Sequence, residues 1–156
     1  MREVDFYFPI PNNEIISEEL FGGKISLNNS WRLNRGFLRG SIDYIFEHNG
    51  RIYLIDWKSN ILNDYSPEAL KKVVMKDYNL QLQIYTLATC YWFKINLEEK
   101  YKNRFGGTIY IFLRGIKNHS YNGEKYSNVK NSGVFFMKPS WKEFLNFEKN
   151  FSKINL

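Results

Sequence analysis

The dipeptide Asn49-Gly50 constrains this chain more than any other feature, because it joins two strand-like runs, residues 37–46 and 51–57. Both residues tolerate the positive φ of a tight hairpin turn, so the runs are expected to pair antiparallel. Pairing decides which side chains share a face, since they alternate along a strand with period two. If Asn49-Gly50 alone forms the turn, Asp43 lies opposite Asp56. If the loop is 47–50, Asp43 faces Leu54 and Asp56 faces Ser41. Either register brings Asp43, Asp56 and Lys58 to one face, with the two carboxylates roughly 5–8 Å apart. That face also holds Ile45, Ile52 and Leu54. The opposite one collects Tyr44, Phe46, Tyr53, Ile55 and Trp57, an aromatic layer for which burial is expected.

Charges beside an apolar surface are costly unless they are paired or bind a metal. Two readings of the hairpin stay open. One is an ordinary ion pair of Lys58 with Asp56 or Asp43 at a strand end. The other is a reactive centre. Two carboxylates can hold Mg²⁺, a hard ion that prefers oxygen and keeps several waters, and the backbone carbonyl of Trp57 is placed to join them. Such a metal acidifies a bound water. Lys58 can orient that water and offset charge in the transition state.

The other segments fit an α/β domain with a mixed sheet. Residues 4–10 read as a strand ended by Pro9 and Pro11, and a short helix is expected around 17–21. Ser66-Pro67-Glu68 opens a helix, with Ser as N-cap and Pro at the first position. It runs to about Phe93, with a break near 77–79. Gly106-Gly107 precedes a strand at 108–113, another strand spans 134–137, and a last helix starts at Pro139-Ser140-Trp141 and ends near Phe151. With 156 residues, a single domain over 1–156 is expected.

Composition narrows the function class. The net charge of +6 suits a polyanionic partner, though charge alone decides nothing. Arg35, Arg39, Lys71, Lys72 and Lys76 could contact phosphates, though for the lysines a solvated helix face is the better reading. The single cysteine, Cys90, excludes an internal disulfide and a cysteine zinc cluster. No run approaches the ~20 apolar residues that span a bilayer, and no secretory signal is visible, so a cytoplasmic location without membrane contact is expected.

Gly40-Ser41-Ile42-Asp43, followed by Ile55-Asp56-Trp57-Lys58, resembles the G-x-x-D…D-x-K signature of PD-(D/E)xK nucleases, and more narrowly the C-terminal nuclease domain of RecB. The matching blocks are residues 2–10 (REVDFYFPI), 35–60 (RGFLRGSIDYIFEHNGRIYLIDWKSN), 78–87 (YNLQLQIYTL) and 105–115 (FGGTIYIFLRG), in family order. The resemblance implies a restriction-endonuclease-like core, a mixed central sheet flanked by helices. It implies metal binding at Asp43 and Asp56, Lys58 as the catalytic lysine, and an acidic active-site residue at Glu3, with Asp5 less favoured. Gln81 and Tyr85 match the family's Q-x-x-x-Y helix motif and share a helix face beside the site. Gln81, if buried, is expected to have a hydrogen-bond partner. The implied activity is Mg²⁺-dependent (or Mn²⁺-dependent) exodeoxyribonuclease action on DNA in RecBCD-like double-strand-break repair and DNA degradation. The implied partners are RecC- and RecD-like subunits and RecA.

Departures from the family pattern matter as well. RecB-type nucleases take a further metal ligand from a histidine on an upstream helix. Here His48 falls in the hairpin loop and His119 in a polar loop, so neither replaces it. The G-x-x-x-x-G-K-[ST] sequence of a helicase motor is also absent. A fragment, a split-gene product that completes its site with a partner, and a decaying remnant stay open, and the intact D…D-x-K signature favours the first two. The competing functions are a non-catalytic DNA-binding or docking module and a different PD-(D/E)xK enzyme such as a junction resolvase.

Overall fold

In the computed structural model, which describes residues 2–9, 32–34, 37–116 and 133–153, Asn49 and Gly50 take φ of 49° and 73°. Two consecutive left-handed residues make the tight turn that matches strand twist. It joins β3 (Phe37–His48) to β4 (Arg51–Lys58) with His48 opposite Arg51 and Tyr44 opposite Ile55. The shorter of the two loops considered is therefore the one formed. The expected helix at 17–21, Arg35 and His119 lie outside the described residues.

β1 (Arg2–Pro9) pairs antiparallel with β3. β2 (Arg32–Asn34) pairs with the same first residues of β3 that β1 also meets, so it lies on the opposite edge. β5 (Phe105–Phe112) runs parallel to β4, and β6 (Val134–Met137) antiparallel to β5. The result is a mixed sheet of order β1-β3-β4-β5-β6. Its one parallel pair is joined through three helices, α1 (Pro67–Asp77), α2 (Asn79–Trp92) and α3 (Glu98–Arg104). Parallel neighbours need a crossover of this kind.

Local signals explain most helix boundaries. The Ser66 hydroxyl accepts from the Ala69 N–H at 3.4 Å, and Pro67 fills the first helical position. α4 (Trp141–Lys153) starts with a reciprocal box: the Ser140 N–H donates to Glu143 at 2.6 Å, and Ser140 Oγ accepts from the Glu143 N–H at 3.3 Å. α2 is buried on every side from Gln81 to Cys90, as a helix apolar all round requires. The strand expected at 108–113 begins earlier, at Phe105, because Gly106 and Gly107 are part of it. A Cβ on Gly106 would sit 2.5 Å from the Tyr53 ring. Gly107 has φ of 132° beneath the Phe136 ring. β2 and α3 have no counterpart in the sequence reading.

The helices cover one face of the sheet. Ile52 and Leu54 of β4 join Val4, Ile42, Leu87 and Phe144 in the larger core cluster, while Leu70, Val74, Tyr110 and Phe112 form a second beneath α1. The aromatic layer expected to be buried is not. Tyr44, Phe46, Tyr53 and Ile55 are half-buried and Trp57 is 46% exposed. Rings at 5.3 Å (Phe46–Tyr53) and 6.0 Å (Tyr44–Phe46) cover one another instead. The charged face is thus the one turned into the core.

Candidate active site

β4 carries the site because its buried stripe changes character along its length. Ile52 and Leu54 face α2 first, then Asp56 and Lys58 occupy the same side, 3% and 9% exposed. Their groups meet at 2.5 Å, Lys58 Nζ to Asp56 Oδ2. The ordinary ion pair considered from sequence therefore exists, but buried rather than at the surface, where desolvation makes it expensive.

Gln81, from the first turn of α2, ties both members together. Its Nε2 donates to Asp56 Oδ1 at 2.9 Å, and its Oε1 accepts from Lys58 at 2.8 Å. The same Nε2 lies 3.0 Å from the Tyr85 hydroxyl one turn on, which donates to the Ser41 carbonyl. The partner expected for a buried Gln81 is thus present, and Tyr85 belongs to the network rather than to inert core. Burial and the charge of Asp56 both push the Tyr85 phenol far up.

Asp43 approaches from the neighbouring strand. After the pair Tyr44–Ile55, its Oδ2 accepts the Trp57 N–H at 2.8 Å. Ile42 and Ile45, an odd number apart, are both in the core, so strict alternation breaks between them, at Asp43 and Tyr44. Even so, Asp43 is close enough for its charge to act on Asp56. Burial raises the Asp56 carboxyl above its ordinary value, Lys58 pulls it back, Asp43 raises it further, and the Gln81 hydrogen bond lowers it. Raised proton affinity from burial plus a like charge is what paired carboxylates show.

Glu3 lies on β1 between the pairs Arg2–Tyr44 and Val4–Ile42, alongside Asp43. It is exposed, and its φ of 45° is in the left-handed region, a conformation costing a non-glycine residue about 1 kcal/mol. Asp5, the less favoured candidate, is engaged elsewhere, at 2.9 Å from Arg39.

Two aromatic residues at the site escaped the sequence reading. The Lys58 ammonium lies 3.8 Å from the centroid of the Tyr78 ring and 5.6 Å from that of Tyr110. Tyr110 pairs with Asp56 across the parallel strands, a relation invisible until β5 is docked. Tyr78 falls at the break between α1 and α2, where only the break itself was a signal.

As a donor set, Asp43 and Asp56 supply carboxylate oxygens suited to a hard divalent ion. Asp56 Oδ2 is buried, and the described group against it is the Lys58 ammonium at 2.5 Å, so a cation taking this oxygen would compete with Lys58 for it. Water would complete the shell, since among the described residues no three His, Cys, Asp or Glu side chains converge. Among those residues, too, no helix is long and apolar enough to cross a membrane.

Residues 8–146 match the family model of the PD-(D/E)XK nuclease superfamily. The chain is similar to the RecBCD enzyme subunit RecB of Haemophilus influenzae, 45% identical over 112 residues, covering 68% of this chain and 8% of that protein. With RecB of Escherichia coli K12 it is 36% identical over 148 residues, 85% of this chain and 12% of the relative. With RecB of Buchnera aphidicola subsp. Schizaphis graminum it is 34% identical over 154 residues, 90% and 12%. The chain therefore spans about a tenth of the length of these relatives.

Proposed function

The chain belongs to the PD-(D/E)XK nuclease superfamily as a RecB-like domain, and from that premise we propose that it is a Mg²⁺-dependent deoxyribonuclease. The observation that carries the reading is the buried Asp56–Lys58–Gln81 unit beside Asp43. A fold gains little from burying such a unit where apolar side chains would pack. A buried carboxylate whose proton affinity is raised by burial beside a specific charge partner marks a candidate functional site.

Asp43 and Asp56, with the Trp57 carbonyl, are the oxygens that would hold the ion. Mg²⁺ (or Mn²⁺) bound there supplies an acidified water and offsets charge on the scissile phosphate. Lys58 directs its ammonium at the negative charge that grows on the phosphoryl oxygens and orients the attacking water. Gln81 holds Asp56 and Lys58 at a fixed separation, so neither must reorganise during the reaction. Glu3 is the further acidic residue in the reading, on the strand beside Asp43.

Because the similar proteins are subunits of the RecBCD enzyme, the proposed setting is exonucleolytic DNA processing at double-strand breaks in the cytoplasm. DNA is the substrate there, and RecC- and RecD-like subunits and RecA are the partners.

A second reading is a non-catalytic DNA-binding or docking module. It is favoured by Lys58 lying on Asp56 Oδ2 and by the absence of a three-residue metal group among the described residues.

Incubation with linear DNA and Mg²⁺ or Mn²⁺ separates the two. The nuclease reading expects cleavage that stops with chelator and falls at least ~10³-fold in Asp56→Ala. Cleavage that survives Asp56→Ala would sink the assigned residues. Salt-sensitive binding without cleavage would favour the second reading.

A further inference from the structure

The helical segment that begins at Pro67 is broken at Tyr78, and nothing in the proposed chemistry yet uses that residue. Its φ of −124° and ψ of 7° leave the helical region, while backbone bonds of 2.9 Å on both sides keep it fixed, Tyr78 N–H to Val74 and Leu82 N–H to Tyr78. Its ring is fixed as well. It stacks on Tyr110 at 6.1 Å, meets the edge of Phe112 at 6.5 Å, and its hydroxyl donates to Asn60 Oδ1 at 2.8 Å, two residues beyond Lys58.

We propose that Tyr78 is a positioning residue for Lys58: its ring face is the seat that keeps the ammonium at the site when Asp56 is engaged by a cation. The proposal rests on the nuclease reading, because only there does Asp56 take a metal. Lys58 has four described supports: Asp56 Oδ2, Gln81 Oε1 at 2.8 Å, the Tyr78 ring at 3.8 Å and, farther off, the Tyr110 ring at 5.6 Å. A divalent ion on Asp56 competes with the ammonium for the same oxygen and repels it. Gln81 alone is a neutral partner for a largely buried charge.

The Tyr78 ring differs in kind from Asp56 and Gln81. It attracts a cation through its π-electrons and does not compete to ligate the metal, since its hydroxyl is committed to Asn60. A leucine at 78 would fill similar space without that attraction. A single unbroken helix would give residue 78 a different backbone conformation.

Proton NMR of the intact chain tests the seat without relying on catalysis. The Lys58 ε-methylene signals, identified by their loss in Lys58→Met, are expected upfield of an exposed lysine and to stay there at saturating Mg²⁺. Tyr78→Phe should keep that displacement and Tyr78→Leu should remove it. Signals that return to the exposed-lysine position on adding Mg²⁺ overturn the proposal, as does a displacement untouched in Tyr78→Leu.

Kinetics supply the second readout. Tyr78→Leu should lower kcat about tenfold with KM within about twofold, while Tyr78→Phe keeps at least about half of kcat. Full kcat in Tyr78→Leu, with cleavage by the parent chain intact, refutes the seat and leaves the nuclease reading standing. A parent chain that never cleaves removes the nuclease reading, and the spectra then decide the seat alone. Should Tyr78→Leu fail to fold, the parent and Tyr78→Phe spectra with and without Mg²⁺ carry the same decision.

Discussion

Asp56 and Glu143 are both carboxylates held by specific neighbours, yet folding moves their proton affinities in opposite directions. Burial raises Asp56 despite a lysine at 2.5 Å. Side-chain and backbone hydrogen bonds from Ser140 lower Glu143, which stays largely in water. The difference is solvation. At the start of α4 the donors add to water that still surrounds the carboxylate. Beneath α2 they replace water that has been removed, and the replacement falls short. A charge that lowers stability where it sits points to a use other than stability, whereas the Glu143 box is explained by the helix it starts.

The largest test of that contrast removes one partner of the buried pair. Lys58→Met should cost about 3 kcal/mol at neutral pH, because Asp56 is then left charged beside Asp43 with Gln81 as its remaining support. Asp56→Asn should cost less, since Lys58 keeps Gln81 and the Tyr78 ring. The double variant should be more stable than Lys58→Met alone. The pH dependence has a definite sign. A folded-state value above the ordinary 3.8 means that Asp56 supports the fold best below 3.8 and that this is lost as pH rises through the folded value. The Lys58→Met deficit should accordingly shrink on acidification. Urea titrations at neutral and acid pH decide this, and a deficit that grows toward acid breaks the comparison.

How much of this could be read in advance differs between the same two kinds of interaction. The tight turn was legible because Asn49-Gly50 specifies it locally; it narrowed the register to two, either of which brings Asp43, Asp56 and Lys58 together, and which of the two forms was not legible. The N-cap at Ser66 and the break at 77–79 were legible for the same reason. Which face of the hairpin would be buried was not. Five apolar side chains on one side looked like the core, but the helices cover the charged side, and that is decided by how the crossover docks. Tyr110 beside Asp56 depends on β5 pairing from more than fifty residues away. Gln81 and Tyr85 entered through a family resemblance, and only the folded structure brings Gln81 between acid and base as their bridge.

The intermediate test concerns the stabilising carboxylate. Ser140→Ala should cost about 1 kcal/mol, the usual worth of an N-cap hydroxyl. Glu143→Gln should remove the pH dependence that the box contributes. Its folded-state value lies below the ordinary 4.5, so its support is complete above 4.5 and lost as pH falls through the folded value. This is the reverse of Asp56. Thermal melts of Glu143→Gln and the parent should converge in acid and separate above the ordinary value. Convergence at neutral pH instead would mean the box does not hold α4.

The smallest effect belongs to an ion pair with the same chemistry as the buried one and none of its burial. Glu98 and Lys102 meet at 2.7 Å one turn apart on α3, with side chains 52% and 67% exposed. Their order, acid before base at i and i+4, is the favourable one for a helix. Lys102→Gln should nevertheless cost only about 0.3–0.5 kcal/mol, because water and the entropy of two long side chains cancel most of the attraction. Molar salt should abolish even that, as screening reaches exposed charges, while the Lys58→Met deficit should persist in salt because its pair is shielded from ions. A loss above 1 kcal/mol in Lys102→Gln would show that proximity rather than desolvation sets these energies. Asp56 and Lys58 would then need no role beyond stability to account for their place in the core.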